Sequence, residues 1–564
     1  MRKLVLFLSC GVLVGLAGGL ASALRYTLAH RYIEQEMNGL ILLALRDHTS
    51  RWVMGGVLAA VLAFGTALVL GRLRASGRRL PERTPRWLSV PAAVAVTLIV
   101  ALDLFVLIAP RISAPSGPNI VVIYLDALRP DHLGAYGYDR DTSPNIDSIA
   151  GSGVLFGNVY AQSPATYPSV HSTLTSKYAS SFLYIRKCVL ERQHLTLAEI
   201  LKNHGYRTVG ISSSPIVVRQ ENHFALGGFE QGFDRFDDDV YSGDGEPWNW
   251  QFRSAEGVVD KAVDWLDNWR GGKFFLFLYI MDPHCDYRCP EPFNSRFDPD
   301  YDDKTFVAAG DPTFYEVKLL KGIDAGLEPR DIEHFEALYD GEIAYADDQI
   351  GRVLEGLRRS DLVDDTLIVF LSDHGEEFLE HGGVKHGYTL YDEVIRVPLI
   401  MSYPGVLPEG VTIDDRLVQL LDVTPTILDV AGIPRPPFMQ GASLLPLIDG
   451  DDAEWRDHAI SEALFVDGKS IITKSWKYIH YYGTELESPH LTRKYRNVRE
   501  LFDLQADPGE TINLYEANRE LAERLHARIL AMIPEEERDR VQRHEKIEFD
   551  EETIRELKSL GYLQ

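Results

Sequence analysis

The chain has 564 residues, of which 45% are hydrophobic and 25% charged, and it carries a formal net charge of −26. Such a composition belongs to a folded protein and excludes a largely disordered or low-complexity chain. The acidic excess also excludes a nucleic-acid binder, whose phosphate contacts require clustered Lys and Arg.

Taken from the N-terminus, three nearly uncharged runs come first: Leu4 to Leu24, Trp52 to Leu70, and Leu88 to Ala109, the last containing Asp103. Each has roughly the 20 residues needed to cross a bilayer, so residues 1–110 are expected to form a membrane anchor of three transmembrane helices. Cleavage of residues 1–23 as a signal peptide is the competing reading, since MRK precedes the first run and ASA ends it. That run is longer than the apolar core of such peptides, which spans ~7–15 residues. The loop GRLRASGRRLPERTPR carries Arg72, Arg74, Arg78, Arg79, Arg83 and Arg86. So basic a loop stays cytoplasmic, which directs everything after Ala109 to the opposite side of the membrane. Cys188, Cys285 and Cys289 would then face an oxidising compartment, with Cys285 and Cys289 as one pairing that sequence alone leaves open.

Residues 111–118 form a linker rich in Pro, Ser and Gly. Beyond it, NIVVIYLD (Asn119 to Asp126), TVGISSS (Thr208 to Ser214), FFLFLYIMD (Phe274 to Asp282), TLIVFLSD (Thr366 to Asp373) and VPLIMSY (Val397 to Tyr403) read as buried strands. They are short, rich in Val, Ile and Phe, and bounded by polar residues. Leu195 to Gly205 and Glu336 to Ser360 have helical spacing, and this alternation predicts an α/β domain with a largely parallel sheet covered on both faces. Residues 119–454 are expected to form that domain. Residues 455–564, with AISEALF, SIITKSW and KYIHYY before a charged helical tail from Leu514, are expected to form a small α+β subdomain.

Ligands of doubly wound sheets bind beyond the carboxyl ends of strands. Three predicted strands end in polar clusters there: Asp126, then Asp282 with His284, then Asp373 with His374. Asp126, Asp373 and His374 offer two hard oxygens and an imidazole, a set that suits a metal ion, with helix capping and salt bridges as the alternative.

The segments NIVVIYLDALRPDHLGAYGY, SPATYPSVHSTLTSKY, LTLAEILKNHGYRT, MDPHCDY, SDHGEEFLEHGG, HGYTLYDEVIRVPLI, DVTPTILDVAGIP and LFDLQADPGETINL follow one another in the order seen in the sulfatase family of the alkaline phosphatase superfamily. From about Asn119 to Leu514 the chain resembles that family. The resemblance implies an alkaline-phosphatase/sulfatase-like fold, with a central mostly parallel sheet flanked by helices. It also implies that Asp126, Asp373 and His374 are metal ligands. The family often has a second acid directly after the first, where this chain has Ala127, and many members have Asn where it has His374. Both departures imply a site like that of the phosphotransferring relatives, holding one divalent ion, with zinc or manganese favoured over calcium or magnesium.

The family's nucleophile pattern is Cys or Ser, any residue, Pro, Ser, Arg; this chain reads Thr166, Tyr167, Pro168, Ser169, Val170. Sulfatases oxidise their Cys or Ser to formylglycine, which threonine cannot become. A metal-coordinated Thr166 can still attack a phosphoester, as the resemblance to threonine-using transferases implies. The resemblance further implies substrate-facing roles for His284 and His386, and for Lys385 and Lys177 on a non-bridging oxygen. It leaves His381 ambiguous and puts Arg129, Asp131 and His132 in a structural network beside the metal. The expected protein is a multi-pass hydrolase or transferase of a bacterial inner membrane, acting outside the cytoplasm on phosphoesters of envelope lipids or glycans. A true sulfuric ester hydrolase and a catalytically inert sulfatase-like binding protein are the alternatives.

Overall fold

The computed structural model describes residues 117–542, except 183–187, 221–225, 240–253, 285–286, 302–328, 452–453, 464–465, 483–494 and 496. The three predicted membrane spans, most of the linker and residues 543–564 lie outside the described residues. Among the described residues no helix is long and apolar enough to cross a membrane.

Strand β1, Asn119–Leu125, is buried along its whole length. Its alternate side chains enter two separate cores: Ile120, Val122 and Tyr124 on one face, Val121, Ile123 and Leu125 on the other. A strand covered on both faces needs a continuous apolar run rather than alternation with polar residues, which is what NIVVIYL supplies. The further strands of this sheet are β2 (Val154–Phe156), β3 (Arg207–Ser212), β4 (Arg235–Asp237), β5 (Phe274–Ile280), β6 (Thr366–Ser372), β7 (Leu399–Ser402) and β8 (Val411–Ile413). Their order across the sheet is β8-β2-β7-β6-β1-β5-β3-β4. The centre, β6, β1, β5 and β3, is parallel, whereas β7 runs antiparallel to both β6 and β2.

Helices α1 (Pro144–Gly151), α2 (Thr166–Thr175), α3 (Leu197–Asn203), α4 (Ala255–Asp267) and α5 (Pro329–Arg359) cover the sheet. Residues of α2 and α3 share the core of Val122 and Tyr124. Residues of α1, α4 and α5 share the core of Val121 and Ile123. The result is three layers, helices over both faces of one mostly parallel sheet.

Strands β9 (His458–Ala463), β10 (Gly468–Thr473), β11 (Trp476–Tyr481) and β12 (Val498–Asp503) form a second, antiparallel sheet in that order. One face packs Ile460, Ile471, Tyr478 and Leu501 against Ala522, Leu525 and Ile529 of a C-terminal helix, Arg519–Met532. The other face contributes Ala459, Ile472, Ile479 and Phe502 to the core of the main sheet. Cys289 is a free, buried thiol, so it is not in the bridge considered for it; burial pushes its pKa up and leaves it poorly nucleophilic. Cys285 lies outside the described residues.

After β6 the chain makes a short hairpin, Glu377–Phe378 paired with Val384–Lys385, and then a one-turn helix, Asp392–Ile395. His381 at the hairpin tip ties these pieces together. Its ring stacks on Tyr391 at 3.7 Å, Nδ1 faces Glu393, and Nε2 meets the Glu510 carbonyl at 3.1 Å. Two acceptors on two ring nitrogens call for the doubly protonated imidazolium. His381, Glu377 and Glu393 thus form a charged clip, in which the Glu377 carboxylate also accepts from Gly383 N (2.7 Å) and Thr389 Oγ1 (2.9 Å). Buried Lys477 of β11 completes the tie by donating to Asp392 (2.8 Å) and Glu510 (3.0 Å).

Burial alone would depress the His381 pKa, but the hydrogen bond and charge of Glu393, then the charge of Glu377, raise it from 6.5 to about 9. A folded-state value above the unfolded one means that His381 stabilises the fold fully below pH 6.5, and that this contribution is lost as pH rises through about 9. The His381 ring resonances should titrate near pH 9 by NMR. The denaturant midpoint should fall across that interval by more in the wild type than in His381→Gln.

Candidate active site

The register of the central strands builds the site. Leu125 of β1 pairs with Ser372 of β6 on one side and Ile280 of β5 on the other. The next residue of each strand therefore brings Asp126 beside Asp373, while the chain leaving β5 carries His284. Immediately after Asp126, Ala127 turns the chain with φ +59° in the left-handed region. Tyr339 of α5 holds this turn, donating to the Ala127 carbonyl (2.7 Å) and accepting from Arg129 N (2.9 Å).

Asp126, Asp373 and His374 are buried, with ligand-type atoms close enough together to hold one metal ion. His374 Nε2 lies 3.5 Å from Asp126 Oδ1 and 3.5 Å from Asp373 Oδ2. Its Nδ1 meets the Gly375 carbonyl at 2.9 Å. That contact requires the proton on Nδ1 and turns the Nε2 lone pair toward the carboxylates. Burial lowers the pKa of His374, in keeping with a neutral ring.

Asp373 is well provided with donors: Tyr279 Oη at 2.7 Å, His374 N at 3.0 Å and Ala127 N at 3.3 Å. Asp126 Oδ1, by contrast, has no hydrogen-bond partner although it is buried. Burial, then the charge of Asp373, hold the Asp126 carboxyl well above the usual carboxylate range. Three acceptor atoms aimed at one another in a buried space call for a cation, and two carboxylates with one imidazole are the ligands a divalent metal takes.

Thr166 is the first residue of α2 and is buried. Its Oγ1 lies 3.2 Å from His374 Nε2 and, given the tautomer of that ring, donates to it. The helix directs its positive end at the same place.

Around this cluster a second group assembles from the hairpin and from the chain after β5. The His386 ring lies 4.1 Å from the His374 ring, and His284 meets His386 edge-on at 4.8 Å. His386 Nδ1 is 2.9 Å from Glu376 Oε1, and Tyr287 Oη donates to Glu376 Oε2 at 3.3 Å. Burial pushes the Glu376 carboxyl up to about 7, against the pull of the charges on His284 and Lys385. Lys385 itself takes a left-handed φ of +67° at the end of the hairpin, beside Glu376.

The structure thus brings together Asp126, Thr166, Asp373 and His374, with His386, His284 and Lys385 alongside. It does not bring Lys177 to them. The ten residues of α2 separate Thr166 from the far end of the helix by ~15 Å at the α-helical rise, and Lys177 lies beyond that end. Its Nζ is buried against His194 Nδ1 at 3.5 Å. Burial and then the Lys177 charge lower the His194 pKa to about 4, leaving that ring a neutral acceptor. The expected network beside the cluster divides in two. Arg129 pairs with Asp131 (2.8 Å) and donates to the Glu376 carbonyl (3.2 Å), whereas His132 turns away to Asp340 (2.7 Å).

The sequence alone does not single out Tyr279 or Glu376. A tyrosine closing the aromatic face of β5 has a hydroxyl that must find a partner when buried, and Asp373 is within reach. Glu376 stands two places past His374, outside the positions that close strands, so nothing in the sequence around it marks it.

Comparison with known proteins agrees with this geometry. The family model described as Sulfatase matches residues 118–433, more than half of the chain, and that of the N-sulphoglucosamine sulphohydrolase C-terminal region matches residues 380–535. An arylsulfatase of Clostridium perfringens is 26% identical, with 70% of this chain and 90% of that protein aligned. An N-acetylglucosamine-6-O-sulfatase of Bacteroides thetaiotaomicron is 25% identical over 74% of this chain and 86% of its own length. Among solved structures, the phosphonate monoester hydrolase of Agrobacterium radiobacter shares the fold with a TM-score of 0.58 at 22% identity, covering 74% of this chain and 95% of that one. With the sheet, the strand-end acids and the family match in agreement, the chain belongs to the sulfatase family, the ester hydrolases of the alkaline phosphatase superfamily.

Proposed function

We propose that this protein is a membrane-anchored, metal-dependent enzyme that cleaves or transfers phosphoesters of the cell envelope with Thr166 as its nucleophile. The observation that carries this reading is the Thr166 Oγ1 contact of 3.2 Å with His374 Nε2, beside the unpartnered Asp126 oxygen. Thr166 stands where sulfatases carry the residue that becomes their aldehyde. Its β-methyl bars that oxidation, so it can act only through its own oxygen.

Asp126, Asp373, His374 and Thr166 are the residues that would hold one divalent ion; the imidazole and the lack of an acid at position 127 favour zinc or manganese over calcium or magnesium. When bound, such an ion lowers the pKa of the threonine hydroxyl and offsets charge on the phosphoryl oxygens.

In the first half-reaction the Thr166 proton passes to solvent, the Oγ1–P bond forms and the bond from phosphorus to the leaving oxygen breaks, giving a phosphothreonine. Water or an acceptor alcohol then attacks phosphorus and releases Thr166. Lys385 is assigned to a non-bridging oxygen, His284 and His386 to the leaving group, and the amino end of α2 to the negative charge. The three apolar runs and the Arg-rich loop before residue 110 support an anchor with the enzyme on the extracytoplasmic side. Lipid or glycan esters of the envelope are then the accessible substrates. Sulfate ester hydrolysis by the same threonine is the second reading, favoured by the names of the curated relatives.

Thr166→Ala should lose on the order of 10³-fold or more in turnover of a phosphodiester, and intact-mass analysis should find a phosphate-containing adduct on Thr166 in the wild type alone. Equal turnover by the two proteins would rule the nucleophile out. Faster release of sulfate from an aryl sulfate than of phosphate from the matched ester would favour the second reading. Metal analysis of purified protein should find about one divalent ion per chain and much less in Asp126→Asn, with manganese or zinc restoring a chelator-treated sample better than calcium.

A further inference from the structure

Glu376 is fully buried, and its surroundings fix it from every side. Its N–H donates to the Glu393 carbonyl at 3.0 Å and its carbonyl accepts from Arg129 at 3.2 Å. Both carboxylate oxygens are engaged, Oε1 by His386 Nδ1 at 2.9 Å and Oε2 by Tyr287 Oη at 3.3 Å. A packing role alone would not require an acid here, since an amide of the same shape is far cheaper to bury. The imidazole it holds is the middle one of three: His386 lies between His374 of the metal cluster and His284. With Nδ1 committed to Glu376, any proton exchange between His386 and a substrate oxygen falls to Nε2.

We propose that Glu376 is the positioning residue that aims His386 at the leaving-group oxygen, and that the dyad suits the site to phosphoesters of aliphatic alcohols rather than of phenols. This rests on the Thr166 reading and adds the leaving-group half of it. As the Thr166 Oγ1–P bond forms and the ester P–O bond breaks, the His386 proton goes to the departing oxygen, which leaves as a neutral alcohol. In the second half-reaction water attacks phosphorus and its proton returns to His386, while the Thr166 Oγ1–P bond breaks and Oγ1 regains from solvent the proton it gave up in the first. An aliphatic alkoxide is about as basic as hydroxide, so its departure needs that proton. A nitrophenolate departs without it.

The test compares Glu376→Gln with wild type on methyl phosphodiesters that differ in one leaving group: p-nitrophenol, glycerol, and the primary hydroxyl of glucose. Loss of proton donation should cost about 100-fold in kcat on the glycerol and glucose esters and less than about 3-fold on the nitrophenyl ester, with bound metal unchanged. Whichever alkyl ester the wild type turns over faster tells whether the alcohol is of the lipid or the sugar type. Equal loss on all three esters, or no loss on the alkyl pair, would overturn the proposal. Tyr287→Phe, which removes one contact and leaves the acid, should show the same selectivity on a smaller scale, about 5- to 10-fold, and a uniform effect there would also count against it. Thr166→Ala on the nitrophenyl ester separates the two ideas, because full activity in that variant refutes the nucleophile whatever the Glu376→Gln ratio proves to be.

Discussion

Two carboxylates buried side by side, Asp126 and Asp373, set the terms for everything around them. They meet because β1 and β6 run parallel and in register, so that strands ending together place their next residues together. Each charge taken out of water costs several kcal/mol unless it is met by donors or a cation. Asp373 is met by Tyr279 and two backbone N–H groups, whereas Asp126 keeps an oxygen without a hydrogen-bond partner. The fold therefore builds a place for positive charge before any substrate arrives, and Thr166 reaches that place from the amino end of a helix on one face of the sheet.

The groups expected to meet a substrate are held less by the central sheet than by what lies behind it. Lys385 and His386 end a hairpin of two-residue strands, too short to be stable alone. Its geometry comes from the His381 clip and from Lys477, which reaches Asp392 and Glu510 from the second sheet. The C-terminal strands thus serve as a buttress, joined to the main core through Ile472, Ile479 and Phe502. Removing them would expose that core and release the hairpin together.

The central strands are legible because most are apolar runs rich in Val, Ile, Leu and Phe closed by a polar residue, and the same rule locates Asp126, Asp373 and His374. The outlying strands Val154–Phe156, Val411–Ile413 and Arg235–Asp237 have three residues each, too few to show a period. The reversal of β7 was hidden because direction follows from the connection. Between Ser372 and Leu399 the only helix is one turn long, and a parallel return needs a crossover, usually a helix packed over the sheet. The resemblance that implies a substrate role for Lys177 carries no distance, and the ten residues of α2 set it apart from Thr166. Glu376 was in plain view in SDHGEE, but its meaning depends on His386 and Tyr287, which only tertiary structure brings to it.

Ala127 shows that the path of a backbone and the chemistry of the side chain on it are set separately. A left-handed conformation costs an ordinary residue roughly 1–2 kcal/mol, and aspartate tolerates it better than alanine does. The slot that the family often fills with a second acid is thus still shaped to receive one, its amide on Asp373 and its carbonyl on Tyr339. The acid's absence is not forced by the chain's path. An acid at this position would add negative charge beside Asp126 and Asp373 without any change in the path of the chain.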